Sequence, residues 1–316
     1  MSSADGAPRP TVAIVSVNFN QTALTREMLA SLEAAGLHTW CEVWVVDNAS
    51  DVDGSPELSA AFPWVRTLRS EVNLGFAGGN NLAVRHTDAA YVFLLNNDAL
   101  VDPGVLEGLL ARFGEHPRLG ALSPLIYDYP QRGERPVIQY AGATAVDALG
   151  RNTTLHRGEP AGSPPAGLRA VPHAHGAALL VSREALDGAG LMDEGYFLYY
   201  EELDWCERIR RAGFDVMLDG DRAIWHRESV STGADSAFKT YWINRSRIRF
   251  MRRNAGRLGA LAFHAFYLLG VLPFHGGRHF LAGRRTHARA LWRALADQAP
   301  LPPAPPAVAA PVASRA

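Results

Sequence analysis

The sequence predicts an α/β fold, a Rossmann-like, mostly parallel sheet flanked by helices and followed by C-terminal helices. Two observations carry the prediction. From 11 to 123 short β-branched runs alternate with helical patterns, as in successive βαβ units. Four of those runs end in, or lead into, clusters of Asn, Asp and Gly, and an open parallel sheet binds ligands beyond the carboxyl ends of its strands.

The first strand is expected over 11–18 (TVAIVSVN), and the helix after it over 22–36, where Leu24, Met28, Leu29 and Leu32 recur at helical spacing. Further strands are expected over 42–47 (EVWVVD), 64–69 (WVRTLR) and 91–95 (YVFLL); the second crossover helix has a weaker pattern. Residues 128–170 are rich in Gly, Pro and Arg with little periodicity, which predicts loops and short strands over one face, a place for acceptor contacts. A second ordered block spans 173–226. It holds the apolar run AALLVS, a helix EELDWCERIRRAG ending at Gly213, and strands near 214–218 and 222–225. Beyond it the chain reads as helical to Pro300, and the Pro/Ala-rich stretch 300–316 cannot bury enough surface to offset its ordering entropy.

The chain has 316 residues, 47% hydrophobic and 20% charged, with a formal net charge of -1. That describes an ordinary globular protein and argues against nucleic acid as a partner. Cys41 and Cys206 are far apart and lack metal-ligand spacing, so neither a disulfide framework nor a zinc site is expected. The first ten residues, MSSADGAPRP, read as a disordered tail without the features of a signal peptide, so the expected location is the cytoplasm. Near the other end, 241–253 places Arg245, Arg249, Arg252 and Arg253 within helical reach of one another, and 258–272 (LGALAFHAFYLLGVL) is mostly apolar. Fifteen residues fall short of the ~20 that span a bilayer. The expectation is a helix packed on the catalytic domain, with peripheral contact at the inner face of a membrane as the alternative.

The polar clusters are Asn18-Phe19-Asn20, Asp47-Asn48-Ala49-Ser50, the loop from Asn73 through Gly75, Gly78, Gly79, Asn80 and Asn81, and Asn96-Asn97-Asp98. Turn chemistry explains any one of them, because Asn and Asp satisfy local backbone groups. Four converging on one crevice point to a ligand. Glycines opening a helix also let backbone approach a phosphate or sugar closely. Asp47 would suit a ribose in a dinucleotide fold, but no G-x-G-x-x-G follows the first strand, so it reads as a nucleotide contact without a nicotinamide.

In order, VSVNFNQ, VVDNASD, NLGFAGGNN, LLNNDALVDP, HGAALLVSREAL, MDEGYFLYYEELDWCERIRRAGF and WHRES resemble glycosyltransferase family 2, especially its bacterial rhamnosyltransferase-like branch, over about 11–253. The resemblance implies a GT-A fold, a hexosyltransferase-type inverting reaction, a dTDP- or UDP-linked sugar donor, a divalent metal (Mg²⁺ or Mn²⁺), and a hydroxyl-bearing acceptor on a glycan, lipid-linked glycan or natural product. The dTDP-rhamnose or a similar deoxysugar donor comes from the branch. The implied organisation is a catalytic domain over 11–235, with a nucleotide-binding half 11–127 and an acceptor and catalytic half 128–235, then a helical region over 236–299. Asn18, Asn20, Asp47, Asn73, Gly75, Gly79, Asn80, Asn96 and Asn97 fall at positions that line the donor. Asp98 and His226 fall at metal positions. Asn stands where the family often has two carboxylates, leaving Asp98 as the anionic ligand; that suffices, because Mg²⁺ usually takes one or two carboxylates and completes its shell with phosphate and water. Two other readings stay open, a sugar-nucleotide binding protein without turnover and a sugar-phosphate nucleotidyltransferase.

Glu201 and Glu202 resemble the acidic pair that supplies the base, although acidic residues also favour any helix start for its dipole. Helix geometry ranks them. Glu202 shares a face with Trp205, Cys206 and Ile209, which should point inward, whereas Glu201 falls with Asp204 and Arg208, nearer solvent. Glu202 is therefore the expected base, with Glu201 its rival.

Overall fold

The computed structural model describes residues 11–129, 135–164, 166–227, 236–298 and 308–309. The N-terminal tail and most of the Pro/Ala-rich tail lie outside them. The first half follows the sequence pattern: β1 (Val12–Asn18), α1 (Thr22–Ala34), β2 (Glu42–Asn48), α2 (Ser55–Ala61), β3 (Val65–Ser70), α3 (Gly75–Val84) and β4 (Tyr91–Leu95). These strands are parallel and lie side by side in the order β3, β2, β1, β4.

The second half is mixed. It contains β5 (Ala99–Leu100), α4 (Val105–Glu115), β6 (Leu119–Asp128), β7 (Ile138–Tyr140), β8 (Leu168–Ala170), β9 (Ala178–Ser182), α5 (Arg183–Ala189), α6 (Glu201–Arg211) and β10 (Asp215–His226). The AALLVS run forms β9, which runs antiparallel to both β4 and β6 and reverses the direction of the sheet. β10 then lies parallel to β6. It merges the two short strands expected near 214–218 and 222–225, and a register shift between Asp219 and Ala223 marks the join. β6 escapes sequence reading because its first eight residues are all buried, which erases the period-two alternation, and because Pro124 sits within it.

Alternation along β1 sorts the core. Val12 and Ile14 face a layer built by α1, α2 and α4, whereas Ala13 and Val15 face α3, α5 and α6. A third cluster binds the C-terminal helices α7 (Ala237–Asn254), α8 (Gly256–Phe266), α9 (Gly277–Leu281) and α10 (Arg285–Ala296) to the rest through Tyr196, Leu203, Ile248 and Phe250. α8 does not stop at its apolar run. It passes through a π-helical stretch, Tyr267–Gly276, into α9, giving one helix Gly256–Leu281 of 26 residues. The wider winding accommodates Pro273, whose ring and missing N–H would break α-helical bonding. The helix is thus longer than the fifteen-residue apolar run: by length and composition it could cross a membrane, with 22% of its most apolar window buried, while Phe263, Tyr267, Val271 and Leu272 pack into the third cluster in line with the packed-helix expectation. Backbone of Val308–Ala309, within the tail expected to be disordered, pairs antiparallel with the outer edge of β3.

Candidate active site

The end of β4 delivers three polar residues to the mouth of the sheet. Asn96 is pinned by its N–H on the Ala177 carbonyl, Asn97 donates to Thr25 Oγ1, and the turn carries Asp98 against the last residue of β10, His226. His226 Nε2 lies 3.1 Å from Asp98 Oδ1. On the other side of the ring, Nδ1 is 2.6 Å from Gln139 Oε1, and Gln139 Nε2 donates to Asp128 Oδ1 at 2.8 Å. That second bond fixes the Gln139 amide with its oxygen toward His226, so Nδ1 carries the proton and Nε2 presents a lone pair. Asn96 Nδ2 donates to that lone pair at 3.1 Å. Asp98 Oδ1 is buried and accepts no hydrogen bond. The Nε2 lone pair, occupied here by the Asn96 amide, faces an orphaned carboxylate oxygen, an arrangement that a cation displacing the amide would resolve. Asp98 and His226 thus fit a divalent metal as protein ligands. Among the described residues no group of three or more His, Cys, Asp or Glu side chains could hold one alone, so the remaining positions would fall to diphosphate oxygens and water.

The carboxylate pair starts α6. Phe197, Tyr199 and Tyr200 adopt positive φ of 66°, 67° and 70° just before it. Non-glycine residues rarely sit there, and each such residue costs on the order of 1 kcal/mol or more. The strain is held by α7. Trp242 stacks on Phe197 at 4.3 Å between centroids, Ser246 donates to the Leu198 carbonyl, Arg245 to the Gly195 carbonyl, and Arg249 pairs with Asp193. From the other side Phe76 N–H donates to the Phe197 carbonyl at 2.7 Å. Glu201 and Glu202 emerge from this turn, each with one buried carboxylate oxygen that has no partner.

The expected exposure of the pair is reversed. Glu201 is 4% exposed and Asp204 1%, whereas Glu202 is half-buried. The face carrying Glu201 and Asp204 does not meet solvent, because α7 covers it: Asp204 accepts from Arg208, Arg253, Asn254 and Tyr196. A helix outside the expected catalytic domain changed which side of α6 is inside. Burial, and then the neighbouring Glu202 charge, push Glu201 well above the ordinary carboxyl range; burial alone pushes Glu202 up to about 7. The two carboxyls therefore titrate as a coupled pair, with Glu202 near its midpoint at neutral pH.

One strand entry joins the two clusters. His175 lies 6.3 Å from His226 ring to ring, and a Cβ on the adjoining Gly176 would be 3.7 Å from Glu202 Cβ. Burial, followed by the His226 charge, drives His175 down to about 3, so it stays neutral between them.

On the donor side several expected contacts serve the scaffold instead. Asn18 is fully buried, donating to Asp47 and accepting from Gln21 N–H and Thr25. The Asp47 carboxylate accepts from Arg69, Ser50 N–H, Asn18 and Gly54 N–H, which fills its acceptor positions. It shapes the loop at the end of β2 and offers no free oxygen to a ribose. Asn80 is 2% exposed and bonds the Phe76 carbonyl of its own helix, and a Cβ on Gly79 would press on Val17 at 3.0 Å. Gly75 has φ +69°, and a Cβ there would lie 2.1 Å from the Phe197 carbonyl oxygen, so its role is close approach to the segment before α6. Half-buried Asn73 accepts from Gly75 N–H and from Asn48, and Asn20 at φ 56° locks the β1 loop against Asp51. Asn73 and Asn96, half-buried, and Asn20, exposed, thus remain the most accessible of the expected donor contacts. Residues missed from sequence include Gln139, Asn48, Arg69 and Trp242; Asn48 stood inside a polar cluster, whereas Gln139 lies in a stretch without periodicity and Trp242 in a separate helical region.

Comparisons with known proteins bear on the family and the fold. The profile of Glycosyl transferase family 2 matches residues 13–188. The chain is 32% identical over 250 residues to the N-acetylglucosaminyl-diphospho-decaprenol L-rhamnosyltransferase of Mycobacterium tuberculosis, covering 71% of this chain and 78% of that one. It is 25% identical over 254 residues to the low-salt glycan biosynthesis hexosyltransferase Agl10 of Haloferax volcanii, covering 77% and 76%. Among solved structures, GalNAc-T7 with UDP, GalNAc and Mn²⁺ superposes with a TM-score of 0.63 at 15% identity, over 77% of this chain and 48% of that one. The mannosyltransferase PcManGT of Pyrobaculum calidifontis, in complex with GDP-Man and Mn²⁺, gives 0.56 at 17% identity, over 92% and 87%. Both likenesses show the GT-A architecture.

Proposed function

The chain belongs to glycosyl transferase family 2, as a rhamnosyltransferase-like enzyme, and from that premise we propose that it transfers rhamnose or a related deoxysugar, with inversion, from a dTDP- or UDP-linked donor to a glycan or lipid-linked acceptor hydroxyl. The observation that carries this reading is the pairing of a carboxylate poised near neutrality, Glu202, with the orphaned Asp98 oxygen and the His226 lone pair across one strand entry. Glu202 removes the acceptor proton as its oxygen attacks the anomeric carbon; a base with a pKa near working pH is suited to that transfer. Glu201 lies buried beside it, and burial together with the Glu202 charge disfavours a second negative charge there. Asp98 and His226 would hold the divalent metal, which when bound would supply positive charge to the departing diphosphate. Asn73, Asn96 and Asn20 contact the donor, while Asn18, Asp47, Gly75, Gly79, Asn80 and Asn97 fix the loops that shape its site. The 32% identical rhamnosyltransferase of Mycobacterium tuberculosis supports the sugar, and its name places its acceptor on a diphospho-decaprenol carrier.

The test is a panel of nucleotide sugars with Mg²⁺ or Mn²⁺. A donor at a hundred times its Kd adds about 2.7 kcal/mol to stability, a shift that thermal unfolding reads directly. dTDP-rhamnose is expected to stabilise most. Single-turnover transfer from that donor should fall by about a hundredfold or more in Glu202→Gln while donor affinity is kept. A Glu202→Gln enzyme with normal turnover would overturn the base assignment.

A further inference from the structure

The helix Gly256–Leu281 covers only one of its faces. Phe263, Tyr267, Val271 and Leu272 point into the third core, while Leu258, Leu261, Leu269 and Leu281 on the other side are 68% to 87% exposed. Among the described residues fourteen large apolar side chains are exposed, and eight of them lie between 258 and 292. Single exposed apolar residues are ordinary, but so many concentrated in one helical stretch mark an interaction surface. Beside the row, an open groove of about 700 Å³ between the π-helical stretch and α10 is walled by Leu268, Phe280 and Trp292.

Charge is sorted in the same direction. Residues 236–297 carry twelve Lys and Arg against a single acid, Asp297, leaving 19 basic and 31 acidic side chains for the remainder of the chain. Several of the twelve are spent inside the protein, as Arg245 and Arg249 are. Arg252, Arg257, Arg278, Arg285 and Arg289 are exposed, and the last two border the groove.

We propose that this face docks on an anionic bilayer, with the helix lying in the plane of the interface. Its exposed apolar row enters the acyl boundary, and the arginines bordering it meet lipid phosphates. Apolar row and arginine border match the two layers of such a surface in one contact. A second copy of the chain is a poorer occupant, because it would bring the same cations against one another. At 1.5 Å per residue the helix is about 39 Å long, enough to span, but crossing would pull Tyr267 and Val271 out of the third core. Because Tyr196 and Leu203 belong to that core too, docking holds the start of α6 close to the lipid surface.

Flotation of the full chain tests this, with vesicles of phosphatidylglycerol and phosphatidylcholine compared with phosphatidylcholine alone. At low salt the protein should float with the mixed vesicles, be released by about 0.5 M NaCl, and stay largely behind with the neutral ones. The triple variant Leu261→Gln, Leu269→Gln, Phe274→Gln should bind on the order of a hundredfold more weakly. A second variant, Arg278→Glu, Arg285→Glu, Arg289→Glu, should lose the preference for anionic lipid. Both should unfold at the wild-type temperature without vesicles, since the altered side chains are exposed. Absence of flotation, equal binding to both vesicle types, or undiminished binding by the apolar variant would overturn the proposal. So would retention released only by detergent, which indicates a span, or a vesicle-blind dimer dissolved by the same substitutions.

Discussion

Glu202 and Glu201 tie activity and stability to pH in opposite senses. Folding raises both pKa values above the ordinary 4.5, so in the window above 4.5 the native state binds more protons than the unfolded state. Stability is therefore full below about 4.5 and falls as pH rises through the folded values. Activity rises over the same range as Glu202 ionises, and kcat/KM should climb to a plateau above an apparent pKa of about 7. Replacing Glu202 by Gln should then stabilise the protein at pH 8, by on the order of 2 kcal/mol, while abolishing the pH dependence of transfer; urea unfolding of both proteins at pH 5 and 8 measures it. An equal stability gain at both pH values would contradict the burial account. A separate expectation concerns Gln139, which sets the His226 tautomer. Gln139→Leu should weaken metal affinity by about ten- to a hundredfold and leave metal-free donor binding nearly unchanged, as calorimetric Mn²⁺ titration would show. At this scale the sequence disclosed residue types better than exposures. Asp98, His226 and Glu202 could be nominated from the order of the family motifs, whereas the burial of Glu201 depends on α7, more than thirty residues away, which no local periodicity records.

The segment between α5 and α6 is the element on which the site turns. Gly75 and Phe197 touch backbone to backbone, and Trp242, Arg245 and Ser246 brace the left-handed residues from behind. Gly75→Ala must relieve both a positive φ and a Cβ 2.1 Å from a carbonyl oxygen, so a loss of about 2–4 kcal/mol is expected. Turnover should fall further than stability, because the displaced carbonyl carries the turn that aims Glu202; comparing kcat with urea midpoints separates the two effects. Arg245→Met strips donors from the Gly195 and Asp297 carbonyls inside the protein and should cost about 3 kcal/mol. Strands β1 to β4 and helices α1 and α6 could be read from period and composition. β6 could not, since a strand buried on both faces has no alternation, and the left-handed turn could not, since Phe and Tyr are not residues that advertise positive φ.

Seen whole, the molecule is a two-faced sheet whose catalytic end is closed by a third core. The family and its GT-A fold were legible in the order of short motifs, but the reversal at β9 was not, because an apolar run of five residues carries no direction. Nor was the dependence of the site on the C-terminal helices, which sequence had set apart as a region of their own. A chain ending at residue 235 should keep the parallel half and bind a nucleotide through it, yet transfer no sugar; circular dichroism with donor titration and a turnover assay would establish each part. Retained turnover would contradict the bracing role of α7. That bracing also sets a clock. The ribosome releases the nucleotide half first, then the carboxylate pair, and α7 only afterwards, so Glu201 and Glu202 are made long before they can be aimed. Transfer chemistry is thus withheld from the nascent chain until Arg249 and Arg253 have emerged, with the helix that follows them already made behind them.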